Sequence, residues 1–289
     1  MIFRTDLALE QHQASTNAPE GITLEEMAFG DAKITTITII NEQGAKSIGK
    51  PAGRYITIEV PPLSDDGVLN DDAVTALKGE LSRMIPKDGT VLVVGLGNTD
   101  ITPDALGPKA ALGVLATRHI TGELARSAGL DNLRPVCVLA PGVLGQTGIE
   151  TSEIIQSVCS HIKPSAVLAI DALASRQLSR LGCTVQLSDT GISPGAGVGN
   201  ARKELSENTL GVPVVSLGVP TVVDAATVAY DLTGAEPPED KVCPRGQPMI
   251  VTPREIDLII KRAAQMISHS VNCALQPGVD AATLLELCS

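Results

Sequence analysis

From Thr90 onward the chain alternates short apolar runs with longer stretches of helical spacing, and few folds accommodate that rhythm. Thr90 to Val94 reads as a short buried strand ending in Gly95 and Gly97. Lys109 to Ala128 follows as a helix, Val136 to Leu139 as a strand, Thr151 to Ile162 as a helix and Ala166 to Ile170 as a strand. Thr184 to Leu187 and Val214 to Leu217 are also strand-like. Elements of this length in this order predict a parallel sheet covered on both faces, an α/β fold in three layers (α/β/α) with a mostly parallel central sheet.

The N-terminal part reads differently. The first thirty or so residues are polar, broken by Pro19 and Gly21, and are expected to form a flexible arm. Alternation in Lys33 to Ile40 and in Arg54 to Val60 predicts two half-buried strands, an antiparallel pair standing outside the main sheet as an accessory β region over 33–60. Asp71 to Ile85 has helical spacing, with Asn70 or Asp71 as its cap. The stretch 235–248, with four prolines and several charges, is expected to be a surface loop. Helical spacing returns from Pro253 at the first helical position to about Cys273, with Thr252 as candidate cap. The chain carries no internal repeat and no low-complexity tract.

At 289 residues and 43% hydrophobic content the chain can bury a sizeable core. That core must be aliphatic, since there is no Trp and the aromatics are Phe3, Phe29, Tyr55 and Tyr230 alone. A net charge of −11 and the scarcity of aromatic stacking surface argue against a direct nucleic-acid ligand and suit a basic protein partner or simple solubility. The six cysteines form no C-x-x-C pair and read as reduced residues in a reducing compartment. The acidic start lacks the apolar segment of a signal peptide, and no apolar run reaches the ~18 residues of a membrane span. An intracellular, cytoplasmic location with no membrane partner is therefore expected.

Two aspartates carry the chemical interest. Asp104 and Asp171 each stand just past an apolar strand, where the carboxyl ends of parallel strands gather over a common crevice. Two carboxylates sharing a proton can activate water. Either acid alone could instead be a helix N-cap, a position that favours Asp. Gly95-Leu96-Gly97 lacks the third glycine of a dinucleotide fingerprint and is followed by Asp100, so a tight turn is the better reading. His12, His119, His161 and His269 suit solvated or capping roles, and G-x-S-x-G is absent. The loop Asp189 to Asn200 holds Gly191, Gly195, Gly197 and Gly199, which implies unusual dihedrals or close approach to another group. Its backbone N–H groups are candidates to bind substrate or a developing oxyanion.

Taken together, the blocks at 93–108, 140–151, 169–174, 188–200 and 218–225 resemble the germination proteases of spore-forming bacteria, from Arg4 to about Tyr230 and again from Met249 to Glu255. The resemblance implies an atypical aspartic endopeptidase with a phosphorylase/hydrolase-like fold similar to that of hydrogenase-maturation proteases. It assigns Asp104 and Asp171 as the catalytic pair, with no cofactor and no metal. It implies substrates among the small acid-soluble spore proteins, a homotetramer, and action in the forespore and spore core. It further implies a zymogen: Arg4 to Glu10 is similar to the acidic, apolar, Ala, x, Glu pattern that the family cuts. Cleavage is expected between Asp6 and Leu7, leaving residues 1–6 as propeptide and 7–289 as one peptidase domain. Two other readings stay open, a hydrogenase-maturation-type peptidase and a non-catalytic protein that binds spore proteins.

Overall fold

A computed structural model describes residues 4–15, 20–65, 71–120, 126–127, 132–198 and 202–287. Its four parallel strands are β4 (Val91–Gly95), β5 (Val136–Leu139), β6 (Ala166–Ser175) and β8 (Val214–Asp224). They lie in the order β5-β4-β6-β8. These are the apolar runs of the sequence, and their residues are buried because helices cover both sides.

The accessory strands do not stand apart. β7 (Thr184–Ser188) pairs antiparallel with β8, and β3 (Gly53–Glu59), β2 (Ala32–Ile39) and β1 (Ile22–Phe29) follow it antiparallel in one continuous sheet. The expectation of a pair outside the main sheet is corrected by the β3–β7 ladder, which runs from Tyr55 opposite Ser188 to Glu59 opposite Thr184. A two-residue strand β9 (Ile250–Val251) closes on the end of β8.

One face of the sheet is covered by α3 (Asp71–Met84), α4 (Leu106–Leu112) and the twenty-residue helix spanning Ile256–Leu275. Leu77, Leu81, Leu106, Ile260 and Ile267 pack there on Ile58, Val93, Leu168 and Leu217. The other face has two separate covers. Toward β4 and β6, Ile155 and Cys159 of α5 (Thr151–Ile162) meet Leu92, Val94, Val167 and Ala169. Toward β2 and β3, α1 (Ala8–Ala14) and α2 (Glu42–Ile48) bury Ala8, Leu9 and Ile48 against Ile37, Ile39 and Tyr55.

Several expectations change. The N-terminal arm is not free: α1 is docked, with Leu7 and Ala8 fully buried, and β1 follows it. The helix after β4 is Leu106–Leu112 rather than Lys109 to Ala128. It stops at Gly113, where a Cβ would press on the Ser268 side chain. The last long helix begins at Ile256 with Glu255 at its cap, and the Thr252 hydroxyl donates to the Thr221 carbonyl instead of capping. Asn70 and Cys288 lie outside the described residues. The stretch 235–248 is largely exposed, with one short helix over Glu239–Val242. No helix among the described residues is long and apolar enough to cross a membrane.

Gly107 sets how closely α4 approaches the strands. A Cβ there would lie within contact distance of the Leu96 and Ile170 carbonyls, both fixed backbone. Gly107→Ala is expected to cost about 1–3 kcal/mol or more through overpacking, and thermal unfolding of the variant reads it directly.

Candidate active site

After β4 the chain crosses to α4 on one face, while the β5 to β6 connection runs through α5 on the other. Open α/β sheets form their ligand crevices where connections part in this way, outside the carboxyl ends of the strands. Asp104 and Asp171 flank that point and line one cavity of about 730 Å³, together with Arg4, Asp6, Gly97, Gly195 and Arg202.

Neither acid caps a helix. Asp171 lies inside β6, opposite Gly218 of β8, and is 5% exposed; its Oδ1 accepts from the Ala172 N–H at 2.9 Å. The strand continues four residues beyond it, so the expectation that Asp171 stands past a strand end is corrected. Asp104 closes a 3₁₀ turn over Thr102–Asp104, and its Oδ2 accepts from the Asn98 N–H at 2.8 Å. Gly97, at φ +118°, has a structural reason in this turn: a Cβ would collide with the Asp104 carbonyl. The Gly95-Leu96-Gly97 segment is thus a turn shaped around an acid, as expected in place of a dinucleotide site.

The crevice is occupied by the chain's own N-terminal segment. β4 ends opposite Ile170, so from Asp171 onward β6 keeps β8 as its strand neighbour and frees its other edge. Asp6 binds there: its N–H donates to the Ala174 carbonyl at 2.8 Å, and its Oδ2 accepts from the Ala174 N–H at 2.8 Å. Glu10, 3% exposed, accepts from the Arg176 N–H at 2.7 Å and the Gln177 N–H at 2.9 Å, and the Thr5 hydroxyl donates to it. The Arg180 guanidinium lies 3.6 Å from the same carboxylate. Between these anchors the Asp6 carbonyl accepts from Lys50 Nζ and from Gln186 Nε2, each at 2.9 Å, while Gln186 Oε1 accepts from the Ala8 N–H at 2.7 Å.

The loop glycines divide. Gly197 lies against the Asp6 carboxylate, which its N–H also reaches. Gly191, at φ +85°, packs on the Leu205 backbone, and Gly195 lines the cavity wall. Gly199 lies outside the described residues. Lys50 and Gln186 were not singled out in the sequence. Gln186 carried the one available signal, a long polar side chain inside an apolar strand. Lys50, just beyond α2, carried none. Among the described residues no group of three or more His, Cys, Asp and Glu is arranged to hold a metal.

Comparison with known proteins adds the lineage. The model of the family described as germination protease matches residues 3–234. The chain belongs to the germination protease family. It is 43% identical to a germination protease of Clostridium perfringens, with 96% of each chain covered. It is 43% identical to that of Caldanaerobacter subterraneus subsp. tengcongensis, covering 96% of this chain and 95% of the relative. With the germination protease of Bacillus licheniformis the identity is 38%, over 95% and 91% of the two chains. Among solved structures, a [NiFe] hydrogenase maturation protease from Thermococcus kodakarensis aligns at 16% identity and a TM-score of 0.38, covering 66% of this chain and 98% of its own.

In this member of the germination protease family both cleft acids are held above the usual carboxylate range. Burial is the main cause for Asp171, which is raised well above it, and the charges of Asp104 and then Asp6 add to the effect against the Ala172 N–H. Burial also raises Asp104, opposed by the Asn98 N–H and by Arg202. Asp104, more exposed and beside a cation, is raised less than Asp171. Like charges in one cavity reinforce that order.

A carboxyl whose folded pKa exceeds its unfolded value contributes its stability in full below the unfolded pKa and loses it as pH rises through the folded pKa. Asp171→Asn is therefore expected to be more heat-stable than the natural protein at neutral pH, with the difference closing below about pH 4. Melting curves across that range check it.

Proposed function

We propose that this protease is an aspartic-type endopeptidase, made as a zymogen, that starts the breakdown of small acid-soluble spore proteins at germination. The observation that carries the reading is the Thr5 to Glu10 segment in the cleft, its Asp6 and Glu10 carboxylates each held by backbone N–H groups beside two acids of raised pKa. A segment with an acid, an apolar residue, Ala and then Glu after one more residue sits where a substrate would. In this reading residues 1–6 are the propeptide and 7–289 the peptidase domain.

Ionised Asp104 takes a proton from a water whose oxygen attacks the Asp6 carbonyl carbon. Protonated Asp171 gives its proton to the Leu7 nitrogen as the C–N bond breaks, and the second water proton passes from the new carboxyl to that amine, leaving a carboxylate on Asp6 and an ammonium on Leu7. General acid and base groups of this kind contribute about 10²–10⁴-fold each. Leu7 and Ala8 are fully buried, so the new N-terminus must then withdraw with α1 before a spore protein can enter. Processing and opening are separate steps.

Mass spectrometry of the full chain incubated with and without a small acid-soluble spore protein tests this. The expected outcome is loss of residues 1–6 and cuts in the spore protein at acid-apolar-Ala-x-Glu segments. Asp104→Asn and Asp171→Asn should each reduce both by at least about 10²-fold. Binding of spore protein with no cutting by any form would favour a non-catalytic binding role instead. The pH profile should be a bell whose two limbs belong to the acid pair jointly, both displaced above the ordinary carboxylate range.

The reading extends to a homotetramer acting in the spore core. Support for self-association comes from β1, the outermost strand, where Leu24, Met27 and Phe29 stand 41%, 59% and 41% exposed. An open edge with apolar side chains invites a second copy. Met27→Lys with Phe29→Glu is expected to shift the sedimentation coefficient to that of a smaller species.

A further inference from the structure

We infer that Lys50 and Gln186 form the oxyanion-stabilising pair of this protease, holding the scissile carbonyl of Asp6 from the side of the cleft opposite Asp171. The inference rests on the aspartate reading above and adds two catalytic residues to it.

The sheet register provides the geometry. Asp171 of β6 and Gln186 of β7 both lie opposite Gly218 of β8. Residues directly opposite one another across adjacent strands share a face of the sheet, so the two side chains rise from the same face two strands apart, roughly 10 Å between backbones. Gly218 itself puts no side chain between them, and the Leu173 side chain packs close over it. A Cβ there would strike the Asp171 carbonyl at 2.5 Å and the Leu173 side chain at 2.6 Å. Asp6, Lys50, Asp171, Gln186 and Gly218 all line the small cavity of about 190 Å³ over this gap.

The hydrogen bonds fix which group faces the carbonyl oxygen. The Ala8 N–H is a donor and the Asp6 carbonyl an acceptor, so the Gln186 amide has a single satisfying orientation, Oε1 on Ala8 and Nε2 on Asp6. Gln186 therefore hydrogen-bonds the backbone on both sides of the Asp6–Leu7 bond. Lys50 Nζ supplies the second donor to the same oxygen, and the Asp6 carboxylate favours its charged form against burial. Gly49, in the left-handed conformation at the end of α2, turns the chain so that Lys50 projects into the cleft. A carbonyl that already accepts two preorganised donors gains most from them when the oxygen becomes negative. The loop glycines take another part: Gly197 meets the Asp6 side chain rather than its carbonyl.

Self-processing of the full chain isolates the effect, because the reacting bond is already docked and no substrate binding enters the rate. The rate of Asp6–Leu7 cleavage is followed by mass spectrometry for the natural chain, Lys50→Met, Lys50→Arg, Gln186→Leu and Gln186→Glu. Hydrogen exchange over residues 4–15 reports docking in the same samples. The expected result is a loss of about 10²–10³-fold in Lys50→Met and Gln186→Leu. Protection of residues 4–15 should be retained in Lys50→Met, Lys50→Arg should recover at least tenfold, and Gln186→Glu should be as slow as Gln186→Leu or slower. Rates within threefold of the natural chain, or losses that match lost protection residue by residue, would overturn the pair as oxyanion donors while leaving the aspartates in place. A natural chain that never cuts itself would overturn both readings.

Discussion

Strand β6 outlasts β4 by five residues, Asp171 to Ser175, and the unpaired edge this leaves organises the cleft. Backbone groups buried without partners are costly, so a strand that loses a neighbour must find another or meet water. Here the partner is the N-terminal segment, through Asp6 on Ala174 and Glu10 on the amides of Arg176 and Gln177. The same overrun places Asp171 within the sheet rather than on a loop. Burial raises its pKa for that reason, and its position is fixed by strand pairing on the β8 side. Docking of the N-terminal segment and the raised pKa of Asp171 thus share one cause.

The electrostatics of the cleft follow from crowding. Asp6, Asp104 and Asp171 come together where the second face of the sheet lies between its two helical covers. Three ionised carboxylates would repel strongly at low local dielectric, and the structure relieves this by different means for each. Asp6 is raised by burial, an effect that Lys50 and the amides of Ala174 and Gly197 oppose. Asp104 has Arg202 and the Asn98 N–H. Asp171 has no cation in its balance and is raised well above the usual carboxylate range. Lys50 is lowered by burial, an effect that the charge of Asp6 opposes.

Much of the fold was legible because the central strands and α5 obey local rules. Thr151 to Ile162 matches its helix at both ends, and the runs at Val91, Val136, Ala166 and Val214 are strands since nothing but a covered sheet could bury them. Misreadings arose where contacts distant in sequence decide. β1 has no buried face to give a period, being held by the β2 ladder alone. The helix after β4 ends at Leu112, where Gly113 lets the chain pass close to Ser268, over 150 residues away in the chain. The segment around Leu7 reads as a polar arm until Ala174, Gln186 and Ile37 are beside it.

By itself the sequence determined the parallel α/β core, the lineage carried by its glycine and aspartate blocks, and the two acids brought to one edge, because strand burial and turn chemistry are written in neighbouring residues. Only the tertiary structure decided that Asp171 sits inside a strand, that the N-terminal segment fills the cleft, and that Lys50 and Gln186 meet on one carbonyl oxygen. Those facts depend on where β4 stops and on how β7 aligns across β8, which long-range register sets and no local pattern encodes.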